Sequence, residues 1–203
     1  MKIDYQKKME EILNTITKPK RLLLHSCCAP CSSYVLLSLT KYFDITIFYY
    51  NPNITEEDEF KKRLNEQIKL VNEITKENKI DIIEGKYEKE KFESVINGLE
   101  NELEGGARCF KCYRLRMGEA AKIAKELKYD YFTTTLSISP YKNAPKLNEI
   151  GEELEKEYNV KYLYADFKKK DGYKKSIELS KKYNLYRQDY CGCIYSKRNN
   201  IDD

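Results

Sequence analysis

Apolar positions along the chain switch repeatedly between two periods. Arg21-Leu22-Leu23-Leu24-His25-Ser26 is a short continuous apolar run, as a buried strand requires, and from Ser32 to Tyr42 the spacing becomes that of a helix. Ile45-Thr46-Ile47-Phe48-Tyr49-Tyr50 is β-branched and aromatic, stops at Asn51-Pro52-Asn53, and gives way to a charged helical stretch from Glu56 to Asn78. A third strand over Ile80-Asp81-Ile82-Ile83 and a helix from Lys89 to Leu99 follow, before Gly105-Gly106 breaks the chain and a helix runs from Leu115 to Leu127. Tyr131 to Thr135 reads as a fourth strand, Leu147 to Tyr158 as a helix, Val160 to Tyr164 as a fifth strand and Lys174 to Tyr183 as a last helix, with an amphipathic leader ahead of the first strand. Strands alternating with helices of this length predict an α/β fold with a mostly parallel sheet covered on both faces. No linker or internal repeat divides the 203 residues, so one domain spanning 1–203 is expected.

Composition narrows the class. Apolar residues make up 41% and charged residues 34% of the chain, against usual shares of ~45–50% and ~25%, which describes a folded protein with a salt-rich surface. Met1 to Lys8 contains no apolar core of signal-peptide length, and no run approaches the ~20 apolar residues that cross a bilayer, so a cytoplasmic protein without a membrane partner is expected. Seven cysteines in that reducing compartment point away from structural disulfides and toward metal binding or redox chemistry. A net charge of +4 and pI ≈ 8.5 permit a nucleic-acid partner but fall short of the pI above ~9 of a dedicated binding domain. Eighteen tyrosines and no tryptophan supply rings that stack on bases or serve a half-buried surface.

The cysteines form three clusters. Cys27, Cys28 and Cys31 follow the first strand, at the carboxyl edge where open α/β sheets bind ligands. Pro30 suits a first helical turn and Cys31 is close enough to feel the amino-terminal dipole, which predicts thiolates of lowered pKa. Adjacent cysteines are otherwise small apolar core residues. Cys109 and Cys112, a Cys-x-x-Cys pair after a glycine turn and before a helix, can wrap a metal or one corner of an iron–sulfur cluster; half of a zinc site or a thioredoxin-like dithiol fits the pair equally. A disulfide across Cys191-Gly192-Cys193 would close a small strained ring of easily reversed character, better suited to electron transfer than to stabilisation. The irregular set of Cys-Cys, Cys-x-x-Cys and Cys-x-Cys does not match a zinc ribbon. His25, the sole histidine, reads as a satisfied core residue, and Thr133-Thr134-Thr135 reads either as a β-branched strand or as a holder of ribose, phosphate or base. Arg108, Arg114 and Arg116 flank the second pair, and with Lys142 and the carboxyl-terminal lysines they fit either RNA phosphates or a charged helix face. Lys168-Lys169-Lys170 reads as a solvated loop.

Five motifs in order carry a resemblance: His25-Ser26-Cys27-Cys28-Ala29-Pro30, Tyr50-Asn51-Pro52-Asn53-Ile54, Arg108-Cys109-Phe110-Lys111-Cys112-Tyr113-Arg114, Thr133 to Asn143, and Tyr190-Cys191-Gly192-Cys193. From Leu22 to Ser196 the chain resembles the QueH type of epoxyqueuosine reductase, the cobalamin-independent family that performs the last step in making queuosine in tRNA. The resemblance implies a single-domain, three-layer, Rossmann-like fold of the nucleotide alpha-hydrolase (HUP-like) kind, with the cysteine loop where tRNA thiolases carry a glycine-rich phosphate loop. It implies a 4Fe-4S cluster on Cys27, Cys28, Cys109 and Cys112, no cobalamin, and redox or second-metal duty for Cys191 and Cys193. One departure is Cys31, a position where the family pattern allows an acidic residue reaching an auxiliary iron; a second metal site on Cys31, Cys191 and Cys193 is therefore a candidate. The implied partners are tRNA carrying epoxyqueuosine in its anticodon and an unidentified electron donor. Two other readings remain: a tRNA sulfur transferase on the same fold, which lacks its expected glycine-rich loop here, and a zinc-stabilised RNA-binding module.

Overall fold

The computed structural model describes residues 3–197. Five strands, β1 (Lys20–His25), β2 (Phe43–Tyr49), β3 (Ile80–Glu84), β4 (Tyr131–Thr134) and β5 (Lys161–Tyr162), form one sheet of order β3-β2-β1-β4-β5. All its pairings are parallel. The expected Rossmann-like α/β architecture is thus present, with seven α-helices among the described residues: α1 (Tyr5–Asn14), α2 (Ala29–Leu39), α3 (Glu57–Glu73), α4 (Lys89–Ile96), α5 (Ala107–Glu126), α6 (Ala144–Tyr158) and α7 (Gly172–Lys182).

Alternation in β1 builds the layers. Leu22 and Leu24 enter one core with α2 and α3 residues such as Val35, Leu36, Leu70 and Val71, while Leu23 enters the other with Met117, Ala120, Leu147 and Ile150 of α5 and α6. Burial on both faces is why β1 reads as an unbroken apolar run. Strand order reverses between β1 and β4, so the loops after these strands diverge and leave a crevice at the carboxyl edge.

Several boundaries differ from the expected ones: α2 is shifted to Ala29–Leu39, α3 ends at Glu73 and α4 at Ile96, and three further differences frame the site. α5 starts at Ala107, not near Leu115, so Cys109 and Cys112 lie in its first turns and not in a loop ahead of it. Its buried stripe is Cys109, Cys112, Tyr113, Arg116, Met117, Ala120, Ala121 and Ala124, a helical period whose first half contains thiols and a guanidinium in place of aliphatic side chains. α6 starts at Ala144, capped by Asn143 Oδ1, which accepts from the Lys146 amide at 3.0 Å. β5 has two residues; beyond it the ladder passes to side chains, with the Thr133 hydroxyl donating to the Leu163 carbonyl and the Ala165 amide donating to Asn148 Oδ1.

α7 packs against α2 through Gly172, where an added Cβ would lie 1.8 Å from the Phe167 carbonyl oxygen. Gly172→Ala is expected to cost about 1–3 kcal/mol by overpacking against backbone that cannot yield, and to lower the melting temperature by several degrees. At Gly118 an added Cβ meets only Leu154, at an ordinary 3.7 Å. Gly118→Ala should leave the melting temperature unchanged or raise it, and thermal melts of the two variants check the contrast.

Candidate metal and redox site

The crevice at the switch between β1 and β4 is a cavity of ≈ 130 Å³ whose walls include Cys27, Cys31, Arg116, Lys142, Tyr190 and Cys191. Its floor is a buried polar network at the end of β1. His25 is fully buried, with Nδ1 2.8 Å from Thr134 Oγ1 and Nε2 3.1 Å from the Tyr50 carbonyl oxygen. Burial, reinforced by the Arg116 charge, lowers its pKa to about 3, so the imidazole is neutral and structural, as expected for a core histidine. The Ser26 and Ser32 hydroxyls lie 2.6 Å apart and each 2.8 Å from Gln67 Oε1, tying β1 and α2 to α3. Asn51 Nδ2 donates to the Ser26 carbonyl at 2.9 Å, and Asn51 Oδ1 accepts from Arg116 Nη2 at 2.5 Å.

This frame presents the first cluster. Cys28 is the extended N-cap of α2, Pro30 lies in its first turn, and the sulfurs of Cys27, Cys28 and Cys31 lie within 4.8 Å of one another. Cys27 Sγ is 3.7 Å from Cys28 Sγ and 3.6 Å from Thr135 Oγ1. Thr135 thereby belongs to the thiol site, while Thr133 and Thr134 are committed to strand and turn. Hydrogen bonds from the Cys28 and Cys31 thiols hold Cys27 well below the ordinary 9.0, with the Arg116 charge and the Thr135 hydroxyl assisting against burial. Burial, with the neighbouring Cys27, pushes Cys28 up to about 12, and the Cys27 and Cys28 sulfurs raise Cys31. Like charges this close do not all ionise in a buried site, and Cys27 is the sulfur at which the thiolate is favoured.

The other two clusters meet in the adjoining wall. Cys112 and Cys193 pack together with Phe92 and Ile96, and Cys191 packs against them. Cys109, which accepts a bond from the Gly105 amide at 3.2 Å, is buried in the second core, with Cys27 packed against that core. A hydrogen bond from Cys193, with Lys142 and Ser196 assisting against burial, lowers Cys191 well below 9.0; the same bond raises Cys193. Among the described residues, only the first cluster brings three ligand side chains within 4.8 Å, and it includes Cys31 and excludes Cys109, Cys112, Cys191 and Cys193. All seven cysteines are free thiols.

The carboxyl-terminal segment is brought to the site by residues that sequence patterning does not mark. Arg63 of α3 is buried; its Nε pairs with Glu59 at 2.6 Å and its Nη2 donates to the Tyr190 carbonyl at 3.3 Å. The Thr55 amide donates to the Gly192 carbonyl and Asn53 Nδ2 donates to the Cys191 carbonyl, both at 3.1 Å. Gly192 adopts φ +103, and an added Cβ there would meet Ile54 at 2.7 Å. The three arginines thought to flank the second pair separate by role. Arg108 is buried and donates to the carbonyls of Glu100 and Glu102, exposed Arg114 pairs with Glu153 and Glu157, and Arg116 enters the cavity wall. Lys142 is buried and pairs with Glu104 at 3.1 Å; burial opposes its charge, but Cys191, Tyr113 and Glu104 raise its pKa.

Fold and site define a Rossmann-like α/β protein whose switch-point cavity is lined by thiols able to bind metal. A family model described as epoxyqueuosine reductase QueH matches residues 22–199. Proteins of that description from Staphylococcus epidermidis (43% identical, covering 96% of this chain and 85% of that protein), Streptococcus pyogenes (40%, 97% and 79%) and Thermotoga maritima (33%, 86% and 89%) are similar along nearly the whole length. The chain belongs to the QueH family of epoxyqueuosine reductases.

Arg63→Met would leave Glu59 unpaired in a mostly buried position, at a cost of about 3–5 kcal/mol, and would loosen the segment holding Cys191 and Cys193. Alkylation of these two thiols by iodoacetamide, followed by mass spectrometry, should speed up by about tenfold or more through local opening. Arg63→Lys should restore part of the protection.

Proposed function

We propose that the chain reduces epoxyqueuosine in tRNA to queuosine, with the thiol-lined cavity as its active site. The observation that carries this reading is a cavity at the strand-order switch lined by Cys27, Cys31 and Cys191, from two sequence-distant clusters, with Cys112 of the third packed beside Cys191 and Cys193, in a chain of this family. The reaction removes the epoxide oxygen as water and leaves an alkene, consuming two electrons and two protons. It belongs with tRNA in the cytoplasm, and among the described residues no helix is long and apolar enough to cross a membrane.

The donor set fits a soft metal centre. Thiols spaced 3.7 Å apart suit two ligands of a single metal at bond lengths of ~2.3 Å, whereas a 4Fe-4S cluster takes one cysteine per iron and requires the Cys27 and Cys28 sulfurs to move apart on loading. Among the described residues Tyr113 Oη and Arg116 Nε are buried without a hydrogen-bond partner, on the helix that carries Cys109 and Cys112, where sulfide or thiolate would be an acceptor. On our assignment Cys27, Cys28, Cys109 and Cys112 would hold a 4Fe-4S cluster and Cys191 with Cys193 acts as a redox dithiol; the alternative duty of that pair, with Cys31, is as the ligand set of an adjacent iron. When bound, these groups supply single electrons and a Lewis acid for the epoxide oxygen.

The chain's own residues do the rest. Conversion of the Cys191 and Cys193 thiols to a disulfide releases two electrons and two protons, which balances one epoxide reduced to alkene and water; the external donor then restores the dithiol. Gly192 permits the tight turn between the two sulfurs. Asp189 and Tyr190 stand in the cavity wall as candidates to protonate the departing oxygen. Arg116 and Lys142 hold positive charge beside the thiols and stabilise anionic sulfur.

Anaerobic purification with iron, zinc and sulfide quantified, followed by assay on tRNA carrying epoxyqueuosine with a chemical reductant, tests the reading. About four or more irons per chain with matching sulfide and loss of the epoxide oxygen are expected; tightly bound zinc, no sulfide and no turnover would overturn it in favour of the RNA-binding module. Cys191→Ser and Cys193→Ser should each abolish turnover while most iron and sulfide remain, whereas Cys112→Ser should lose both metal and turnover.

A further inference from the structure

Charge is distributed unevenly around the cavity. Residues 168–187 carry eight lysines and arginines against Asp171 and Glu178, a net of +6 in a chain whose total is +4, so the remainder is net −2. This strip borders the cavity directly, because Tyr173, Ser176 and Arg187 line it. Lys168, Lys169 and Lys170 are paired with Asp166, Asp4 and Glu10. Lys174, Lys175, Lys181 and Lys182 of α7 and Arg187 after it are exposed, and among the described residues no carboxylate lies within ion-pairing distance of any of them.

Several other elements near the cavity have the opposite character, although α5, whose Arg116 lines it, is net +4. The turn over residues 97–104 holds Glu100, Glu102 and Glu104 and no cation, α6 carries five glutamates against two lysines, and the first turn of α3 is Glu57, Asp58 and Glu59. A polyanion approaching the cavity is repelled on these sides and attracted most by α7, since Arg108 and Arg116 of α5 are buried and Arg114 is paired with Glu153 and Glu157. Helical geometry sharpens the match: Tyr173, Ser176 and Ser180 share the inward face of α7, which leaves Lys174 with Lys181, and Lys175 with Lys182, as outward pairs two turns apart, a rise of roughly 10 Å.

We propose that the phosphate backbone of the RNA docks on the outward face of α7 and on Arg187, with the nucleotide to be reduced reaching the cavity past Tyr173. This rests on the tRNA-reductase reading and adds where the tRNA lies. The contacts are to phosphate, so they carry affinity and salt dependence and little sequence information.

The test is binding of an unmodified tRNA transcript to the full-length protein by fluorescence anisotropy across a salt series, with steady-state kinetics on epoxyqueuosine tRNA. Lys174→Gln with Lys181→Gln, and separately Lys175→Gln with Lys182→Gln, should each weaken binding by about tenfold near 0.1 M salt and flatten log K against log salt by about one per lysine removed. KM should rise with kcat unchanged, and the matching Lys→Arg pairs should retain wild-type affinity. Lys125→Gln with Lys128→Gln, beside the groove formed by Ala124, Tyr129 and Val160 away from the thiols, should bind like wild type. If both α7 pairs bind like wild type, or the control pair weakens binding as much, the docking face is wrong although the enzyme reading stands. If the wild-type protein neither binds nor turns over tRNA, the enzyme reading itself fails, and the docking face with it.

Discussion

A guanidinium buried among thiols is the constraint around which this molecule is arranged. Moving an ion out of water costs several kcal/mol even after relaxation, so Arg116 must be offset by partners fixed in place. One is Asn51 Oδ1, at 2.5 Å, and Asn51 in turn fastens the Ser26 carbonyl immediately before Cys27. The others are sulfurs: Cys112 Sγ lies 3.9 Å from Nη1 but burial raises its thiol above the ordinary 9.0, while Cys27, held well below that value, is the anionic partner favoured beside Arg116. The helix carrying the second cysteine pair and the loop carrying the first are therefore held by the same side chain. Their docking is most favourable when the thiols between them are anionic.

The third cluster arrives by a different route. Cys191 and Cys193 follow α7, far in sequence from the other thiols, and extend from no strand of the sheet. Their segment is held by groups offered from the β2–α3 connection and from α3: Asn53, Thr55 and Arg63, with Glu59 accepting from the Tyr186 hydroxyl and Lys197 pairing with Glu56. Three of these bonds end on backbone carbonyls flanking or within the Cys-x-Cys turn. They fix the position of the turn while leaving the sulfur atoms free for chemistry, which a packed core strand would not do.

This division explains what was legible in the sequence. The strand and helix order was legible because β1, β2 and β4 are buried on both faces and stand out as apolar runs, and the thiol clusters stood out by residue type and spacing. The start of α5 was not, since a helix whose inward stripe begins Cys109, Cys112, Arg116 imitates a polar loop until Met117 and the alanines restore the usual pattern. Arg63, Gln67 and Asn51 were missed for a related reason. Each has the composition of a surface residue, and only a partner many residues away, the Tyr190 carbonyl, the Ser26 hydroxyl or Arg116, accounts for its burial. Arg108 and Arg116, read as phosphate ligands or a charged face, are buried because helix and turn supply carbonyl, amide and sulfur partners inside.

Protonation connects the site to its cofactor. Before any metal binds, the anionic form is favoured at Cys27, held well below the ordinary 9.0, and disfavoured at Cys28, pushed up to about 12, and at Cys31, which is raised as well. A thiolate-binding metal must displace those protons, and the cost of doing so in a buried place is what usually limits such a site. Arg116 and Lys142 reduce that cost in advance, since their charge is already paid into the fold before any metal arrives. The arrangement also separates two electrostatic tasks. Cationic side chains inside the cavity act on sulfur and are shielded from salt by burial, whereas the lysines of α7 act through solvent and are screened over about 10 Å at 0.1 M salt. Ionic strength can then tune how an RNA is held without altering the charge balance at the thiols.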